Sequence, residues 1–201
     1  MNAWGQRPAV GDTPKGHKEA SAGRMISPNI ILTGFMGCGK TTVGRLLARR
    51  LGRKFADLDR EIEIKGHRRI PAIFRESGER AFREMEFRAI RGLVRRNGLV
   101  VAVGGGAPVF PRNRRWLKRA GKIVYLRVPS RVLAARLLQG RTRPLLAPAR
   151  RDPGAVDALV KDLLGRREKH YRRADLTVEL GSAGPVRATA LILRALLARR
   201  P

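Results

Sequence analysis

An α/β fold wound around a parallel sheet is what this sequence predicts, and three observations predict it. From Asn29 onward, short β-branched or apolar runs alternate with longer helical stretches, the signature of successive βαβ units. Each run is apolar enough to be buried on both faces, as strands between two helix layers must be. The first run passes directly into the glycine-rich turn "GFMGCGKTT", which opens a helix.

The strand runs are 30–34, 55–58, 99–103, 123–128 and 176–180. Helices are expected over 41–51, 70–96 with a break near Gly78, 113–120, 131–138, 153–173 and 185–199. Several helix starts carry caps: Ser130 before the stretch from 131, Asp152 followed by Pro153, and Gly184 followed by Pro185. The stretch 139–152, "QGRTRPLLAPARRD", mixes arginines with prolines and resists both patterns. It is either an exposed linker or a mobile lid over an anionic ligand.

At 201 residues the chain suits one catalytic domain, expected over 28–201. Residues 1–27, rich in Gly, Pro, Ala and charge without periodicity, are expected to be a disordered extension, with Met25 an alternative start. No window approaches the roughly 18 consecutive apolar residues of a membrane span, and the first residues hold no apolar block of the secretory kind. A cytoplasmic protein is the expectation. The single cysteine, Cys38, excludes an intramolecular disulfide. It lies inside the glycine turn, where a neighbouring helix start and Lys40 would acidify a thiol somewhat, but a loop position that tolerates a small residue is the favoured reading.

Lys plus Arg number 44 against 16 Asp plus Glu, a formal net charge of +28. Such a balance favours anionic partners of some kind. The 35 arginines are spread over nearly every expected helix, however, and aromatic residues make up only 5% of the chain, so stacking platforms for bases are scarce. The charge therefore reads as a solvated, arginine-biased surface rather than a nucleic-acid footprint.

Gly34, Gly39, Lys40 and Thr41 complete the pattern G-x-x-x-x-G-K-[ST] between a strand and a helix. The glycines let successive backbone N–H groups turn inward around a phosphate, to which the helix adds its positive end. In such a loop the lysine neutralises the β and γ oxygens and the hydroxyl ligates Mg²⁺. A purely structural turn would have no need of lysine.

Four weaker signals concern the acceptor. Asp57 and Asp59, at i and i+2 on a strand end, would both face the carboxyl edge of the sheet, where open α/β folds bind ligands; helix caps would look the same. Arg83 stands four residues after Glu79 and three before Glu86, which makes either a surface ion pair or a guanidinium steadied to grip a carboxylate. Gly104, Gly105 and Gly106 end the third strand and leave backbone amides open to a ligand. Arg136, Arg143 and Arg167 flank or occupy the basic segment and the helix after it, and Pro144 biases Arg143 towards an extended conformation. Arginines carried in by a closing loop are what phosphoryl transfer uses to stabilise charge, although in a chain with 35 arginines surface decoration would look the same.

Taken in order, "GFMGCGKTT", "DLD", "SGERAFREME", "GGG" and "RPLL" resemble the shikimate kinase family over roughly residues 29–180. The resemblance implies a three-layer P-loop kinase fold: a five-stranded parallel sheet in the order 2-3-1-4-5, flanking helices and a mobile lid at about 139–152. It implies ATP bound by Gly37, Cys38, Gly39, Lys40, Thr41 and Thr42, with Thr41 on Mg²⁺ and Asp57 in the metal's outer shell. By the same likeness Asp59 binds the ring hydroxyls and accepts the proton. Arg83, Arg167 and the wall Gly104, Gly105 and Gly106 bind shikimate, the arginines through its carboxylate. Lys40 and Arg143 serve the phosphoryl transfer, with Arg143 from the lid, and Arg136 packs near adenine.

The implied reaction is ATP plus shikimate to ADP plus 3-phosphoshikimate, in chorismate and aromatic amino acid biosynthesis, by a monomer without membrane or specific nucleic-acid partners. Two alternatives stand beside it. One is a gluconate-type kinase of the same fold, and the other a non-catalytic basic protein that binds nucleic acid. The segment "REKHYRRA" departs from the family in lacking a proline before its tyrosine, so Arg167 is assigned by its spacing from Tyr171. A C-terminal adenine-contacting arginine falls near Gly184, which leaves Arg187 as a substitute.

Overall fold

The computed structural model describes residues 28–139 and 152–198. Five strands, β1 (Asn29–Thr33), β2 (Lys54–Asp57), β3 (Leu99–Ala102), β4 (Gly121–Arg127) and β5 (Leu176–Glu179), form one parallel sheet in the order β2-β3-β1-β4-β5. The helices are α1 (Lys40–Arg50), α2 (Leu58–Gly66), α3 (Ile70–Leu93), α4 (Pro111–Ala120), α5 (Ser130–Gln139), α6 (Pro153–Tyr171) and α7 (Pro185–Leu197), with a 3₁₀ turn at Ala107–Val109. The strand order is the expected one.

Alternation along β1 builds the three layers. Ile30 and Leu32 face a core filled by Leu47 of α1, Leu133 and Leu137 of α5, Val160 of α6 and Ile192 of α7. Ile31 faces the opposite core, filled by Ile90 and Leu93 of α3 and Leu117 of α4. A satellite cluster of Ile62, Ile73 and Phe82 joins α2 to α3.

Two local features depart from the sequence pattern. Asp59 lies in the first turn of α2, a helix absent from the expected set, whereas Asp57 closes β2 and serves as that helix's N-cap position. Asp57 and Asp59 thus do not alternate along a strand. α2 buries only Leu58 and Ile62, one i, i+4 pair among charged residues, too narrow a stripe to announce a helix. The break expected in α3 is present: Gly78 has φ 76° and ψ 172°, outside the helical region. The Asp152 cap is formed as well, its Oδ1 accepting from the Gly154 amide at 2.8 Å.

A buried asparagine holds the amino end of the sheet. Asn29, fully buried, donates from Nδ2 to the carbonyls of Arg96 at 2.6 Å and Ala120 at 2.9 Å, and its Oδ1 accepts from the Leu99 amide at 3.0 Å. One side chain thus ties the ends of α3 and α4 to β1 and β3. Asn29→Ala should orphan these backbone groups and cost about 3 kcal/mol. A lower urea midpoint at unchanged m-value is the expected result.

Candidate active site

Parallel strands deliver their carboxyl ends to one edge, so the loops after β1, β2 and β3 meet there. After β1 the chain enters the glycine turn. Gly39, at φ 95°, precedes α1 in a left-handed conformation that ordinary side chains avoid, and a Cβ at Gly34 would stand 2.8 Å from the Leu126 carbonyl. The amides of Gly37, Gly39 and Lys40 have no acceptor among the described residues, as an anion cradle at a helix start requires. The Lys40 ammonium lies across this cradle, donating to the carbonyls of Gly34 at 2.8 Å and Phe35 at 3.1 Å. Thr41 donates from Oγ1 to Asp57 Oδ2 at 2.8 Å, joining α1 to the end of β2. Thr42 is exposed in the same turn. Cys38 is buried in the core beneath the loop, which supports its reading as a small packing residue.

The acceptor side is assembled on the glycine wall after β3. A Cβ placed on Gly104 would come 2.9 Å from Asp59 Oδ1 and 3.1 Å from Glu86 Oε1, and one on Gly106 would come 3.0 Å from the Arg83 guanidinium. Both candidate acceptor-binding groups therefore touch the same backbone turn. No amide of Gly104, Gly105 or Gly106 has an acceptor among the described residues. Asp57 and Asp59 also line a cleft of about 650 Å³ together with Arg45, Phe55, Arg60, Glu61 and Glu63.

Arg83 is held on every side. It donates from Nε to Glu79 at 3.1 Å and from one terminal nitrogen to Glu86 at 3.2 Å, and it stacks 4.9 Å from the Phe110 ring and 5.1 Å from the Phe82 ring. Glu86, 2% exposed, is the residue whose weight the sequence did not reveal. Its Oε2 accepts from Arg83 and from Asn113 Nδ2, while Oε1 has no hydrogen-bond partner among the described residues and faces Gly104. Burial raises the Glu86 carboxyl above its ordinary value. Arg83 opposes that rise, the Asp59 charge adds to it, and Asn113 opposes it. Glu86 lies three residues from Arg83 in sequence, and that spacing was the available signal.

Arg167 reaches the site from α6, its guanidinium carbon 5.9 Å from the Phe35 ring of the glycine loop. Arg136 lies on the opposite flank and donates to the Ala183 carbonyl at 3.0 Å, in the turn between β5 and α7. Arg187 is exposed at the start of α7. Arg143, the 139–152 lid between its two ends and the 1–27 extension lie outside the described residues. Many exposed arginines spend their charge locally, as in Arg88 with Glu84, Arg166 with Asp162 and Arg172 with Glu168. That pairing suits a solvated surface. Among the described residues no helix is long and apolar enough to cross a membrane, and no cluster of three His, Cys, Asp or Glu offers a metal cage.

The family model described as shikimate kinase matches residues 36–196. The chain is 48% identical over 151 residues to the shikimate kinase of Geobacter sulfurreducens, covering 75% of this chain and 81% of that one. It is 45% identical over 154 residues to that of Bordetella avium, covering 76% and 71%. Among solved structures, the Acinetobacter baumannii shikimate kinase in complex with shikimate superposes with a TM-score of 0.78 at 40% identity, covering 87% of this chain and 95% of that one. A gluconokinase from Sinorhizobium meliloti shares the fold alone, with a TM-score of 0.55 at 20% identity.

Two measurements follow from the wall. Gly104→Ala should leave the fold intact, because the clashing atoms are the movable ends of Asp59 and Glu86, yet reduce turnover by about tenfold or more by displacing a candidate acceptor-binding group. A melting temperature that collapsed along with activity would contradict it. Glu86→Gln should flatten the pH dependence of stability. A carboxyl whose folded pKa is raised stabilises fully below the unfolded value, and that stability is lost as pH rises through the folded one. Urea midpoints taken upward from pH 4.5, the ordinary value, should thus fall more steeply for the wild type than for the variant.

Proposed function

The chain belongs to the shikimate kinase family, and from that premise we propose that it transfers the γ-phosphoryl group of ATP to the 3-hydroxyl of shikimate. The products are ADP and 3-phosphoshikimate, on the route to chorismate and the aromatic amino acids. One observation carries the reading: a carboxylate able to take an alcohol proton and a guanidinium able to hold a carboxylate abut the same glycine wall, at Gly104 and Gly106. Shikimate bears both an alcohol and a carboxylate.

Each residue has a role in this scheme. The loop from Gly37 to Thr42, with Cys38 packed beneath it, cradles the nucleotide phosphates, and Lys40 swings from the loop carbonyls to the β and γ oxygens. Asp59 orients the acceptor hydroxyl and takes its proton as the new P–O bond forms. Arg83 and Arg167 hold the carboxylate, and the amides of Gly104, Gly105 and Gly106 meet the ring hydroxyls. Glu86 keeps Arg83 aimed. Arg136 flanks the base, and Arg143 is the lid arginine that meets the phosphates. Catalysis is mainly positioning and charge stabilisation.

Mg²⁺ fits the oxygen donors present. Thr41 Oγ1 and the Asp57 carboxylate, 2.8 Å apart, are hard ligands of the kind Mg²⁺ takes together with water and substrate phosphates. Thr41 would hold it directly and Asp57 through its water shell; when bound, it neutralises charge on the β and γ phosphates. We place the enzyme in the cytoplasm as a monomer.

A coupled ADP-release assay with shikimate and with gluconate tests the proposal. Turnover with shikimate and none with gluconate is the expected outcome, and the reverse would assign the chain to the other substrate. Asp59→Asn should lower turnover by about 10²-fold or more while ATP affinity, measured by titration calorimetry, stays at the wild-type value. A near-normal rate removes Asp59 from the chemistry.

A further inference from the structure

Three consecutive glycines form a substrate wall only if something outside them fixes their backbone, because glycine has the widest conformational range and no side chain by which neighbours could hold it. Gly104, Gly105 and Gly106 lie beyond the last residue of β3 and are not held by the sheet ladder. The carbonyl of Gly104 is held by the Ala107 amide and that of Gly106 by the Val109 amide, both within the turn itself. The middle carbonyl, Gly105, is gripped from elsewhere. It accepts a 2.6 Å hydrogen bond from the Tyr171 hydroxyl, 66 residues away at the end of α6.

We propose that Tyr171 is a positioning residue for the acceptor substrate: its hydroxyl fixes the Gly105–Gly106 peptide plane and thereby aims the glycine-wall amides into the acceptor site. The inference rests on the function proposed above and adds a residue to it. In a trans peptide the carbonyl and the following N–H point in opposite directions. A bond that draws the Gly105 carbonyl towards α6 therefore turns the Gly106 N–H away from α6. Gly106 is the residue against which the Arg83 guanidinium lies, and its amide has no acceptor among the described residues.

The tether itself is rigid. Tyr171 is fully buried, with its ring 5.1 Å from that of Tyr125. Burial pushes its phenol up to about 12, with nearby Arg167 opposing, so it remains a proton donor throughout the neutral range. Gly105 in turn lies against the phosphate loop, where a Cβ would stand 3.2 Å from the Gly34 carbonyl. The hydroxyl thus sets the wall's tilt relative to the phosphate donor as well.

Tyr171→Phe removes one hydroxyl and keeps the ring. The expected result is a roughly three- to tenfold rise in the KM for shikimate, with the KM for ATP within about twofold of wild type. Thr189→Val is the control: it deletes another buried hydrogen bond, 2.8 Å to the Pro185 carbonyl within α7, and should lower the melting temperature without moving the shikimate KM. If both variants raise that KM alike, or Tyr171→Phe leaves it unchanged, Tyr171 is merely structural. The methyl ester of shikimate separates the wall from Arg167, whose partner is the carboxylate. A Tyr171→Phe penalty of the same factor with the ester supports action through the wall, and a penalty that disappears with the ester overturns it. Wild-type turnover of shikimate judges the proposed function independently; were another acceptor phosphorylated instead, the same comparison with that acceptor would still decide the role of Tyr171.

Discussion

Backbone contact between two glycine turns is the constraint on which the rest of the site depends. β1 and β3 are neighbours in the sheet, so the phosphate loop after β1 and the wall after β3 lie edge to edge, with Gly105 against the Gly34 carbonyl. A side chain on Gly105 would press on the Gly34 carbonyl and push donor and acceptor apart, and phosphoryl transfer is highly sensitive to that separation. β2 lies on the far side of β3 and supplies Asp57 and, one residue beyond the strand's end, the helix that carries Asp59. Strand order alone therefore brings nucleotide cradle, glycine wall and candidate base to one edge.

The electrostatic cost of this arrangement is concentrated at Glu86. A carboxylate buried to 2% exposure is expensive unless it is paired and hydrogen-bonded. Arg83 and Asn113 satisfy one oxygen, the other is left facing the glycine wall, and the resulting penalty appears as a raised pKa. What the molecule gains is a guanidinium whose plane is fixed by two carboxylates and two aromatic rings before any ligand arrives. Preorganisation of this kind lowers the entropy lost on binding. Lysine could not take the same place, because its point charge has no plane to stack or to fork.

The strands were legible to within a residue or two, but the expected burial on both faces holds only for the central β1, β3 and most of β4. The edge strands depart from it, β5 alternating buried and exposed residues and β2 burying only Ala56, because one side of each lacks a covering neighbour. The phosphate loop was legible because its chemistry is local in sequence. α2 was not: with two buried residues in nine, its helicity comes from packing on α3 and leaves no periodic trace in "LDREIEIKG". The placement of Asp59 at the sheet edge was nevertheless right, since a strand end and a first helical turn occupy nearly the same point. Tyr171 was hidden for a different reason: it acts through a backbone carbonyl 66 residues away, a relation with no sequence signature. Glu86 was visible only as an i, i+3 spacing to Arg83, while its burial and its bond to Asn113 left no trace in the sequence.

Cys38 shows how the loop's shape is imposed from below as well as by its glycines. Its side chain is 1% exposed and fills the space where a Cβ on Gly34 would stand 3.0 Å from the sulfur. Next to it, Leu137 of α5 closes against Gly37, where a Cβ would meet the leucine at 3.2 Å. A larger residue at 38 would lift the loop off the core, and a smaller one would leave a void beneath it. The loop that cradles phosphate is therefore anchored to α5, the helix that carries Arg136. The conformation of the cradle and the position of that arginine are set by a single packing surface.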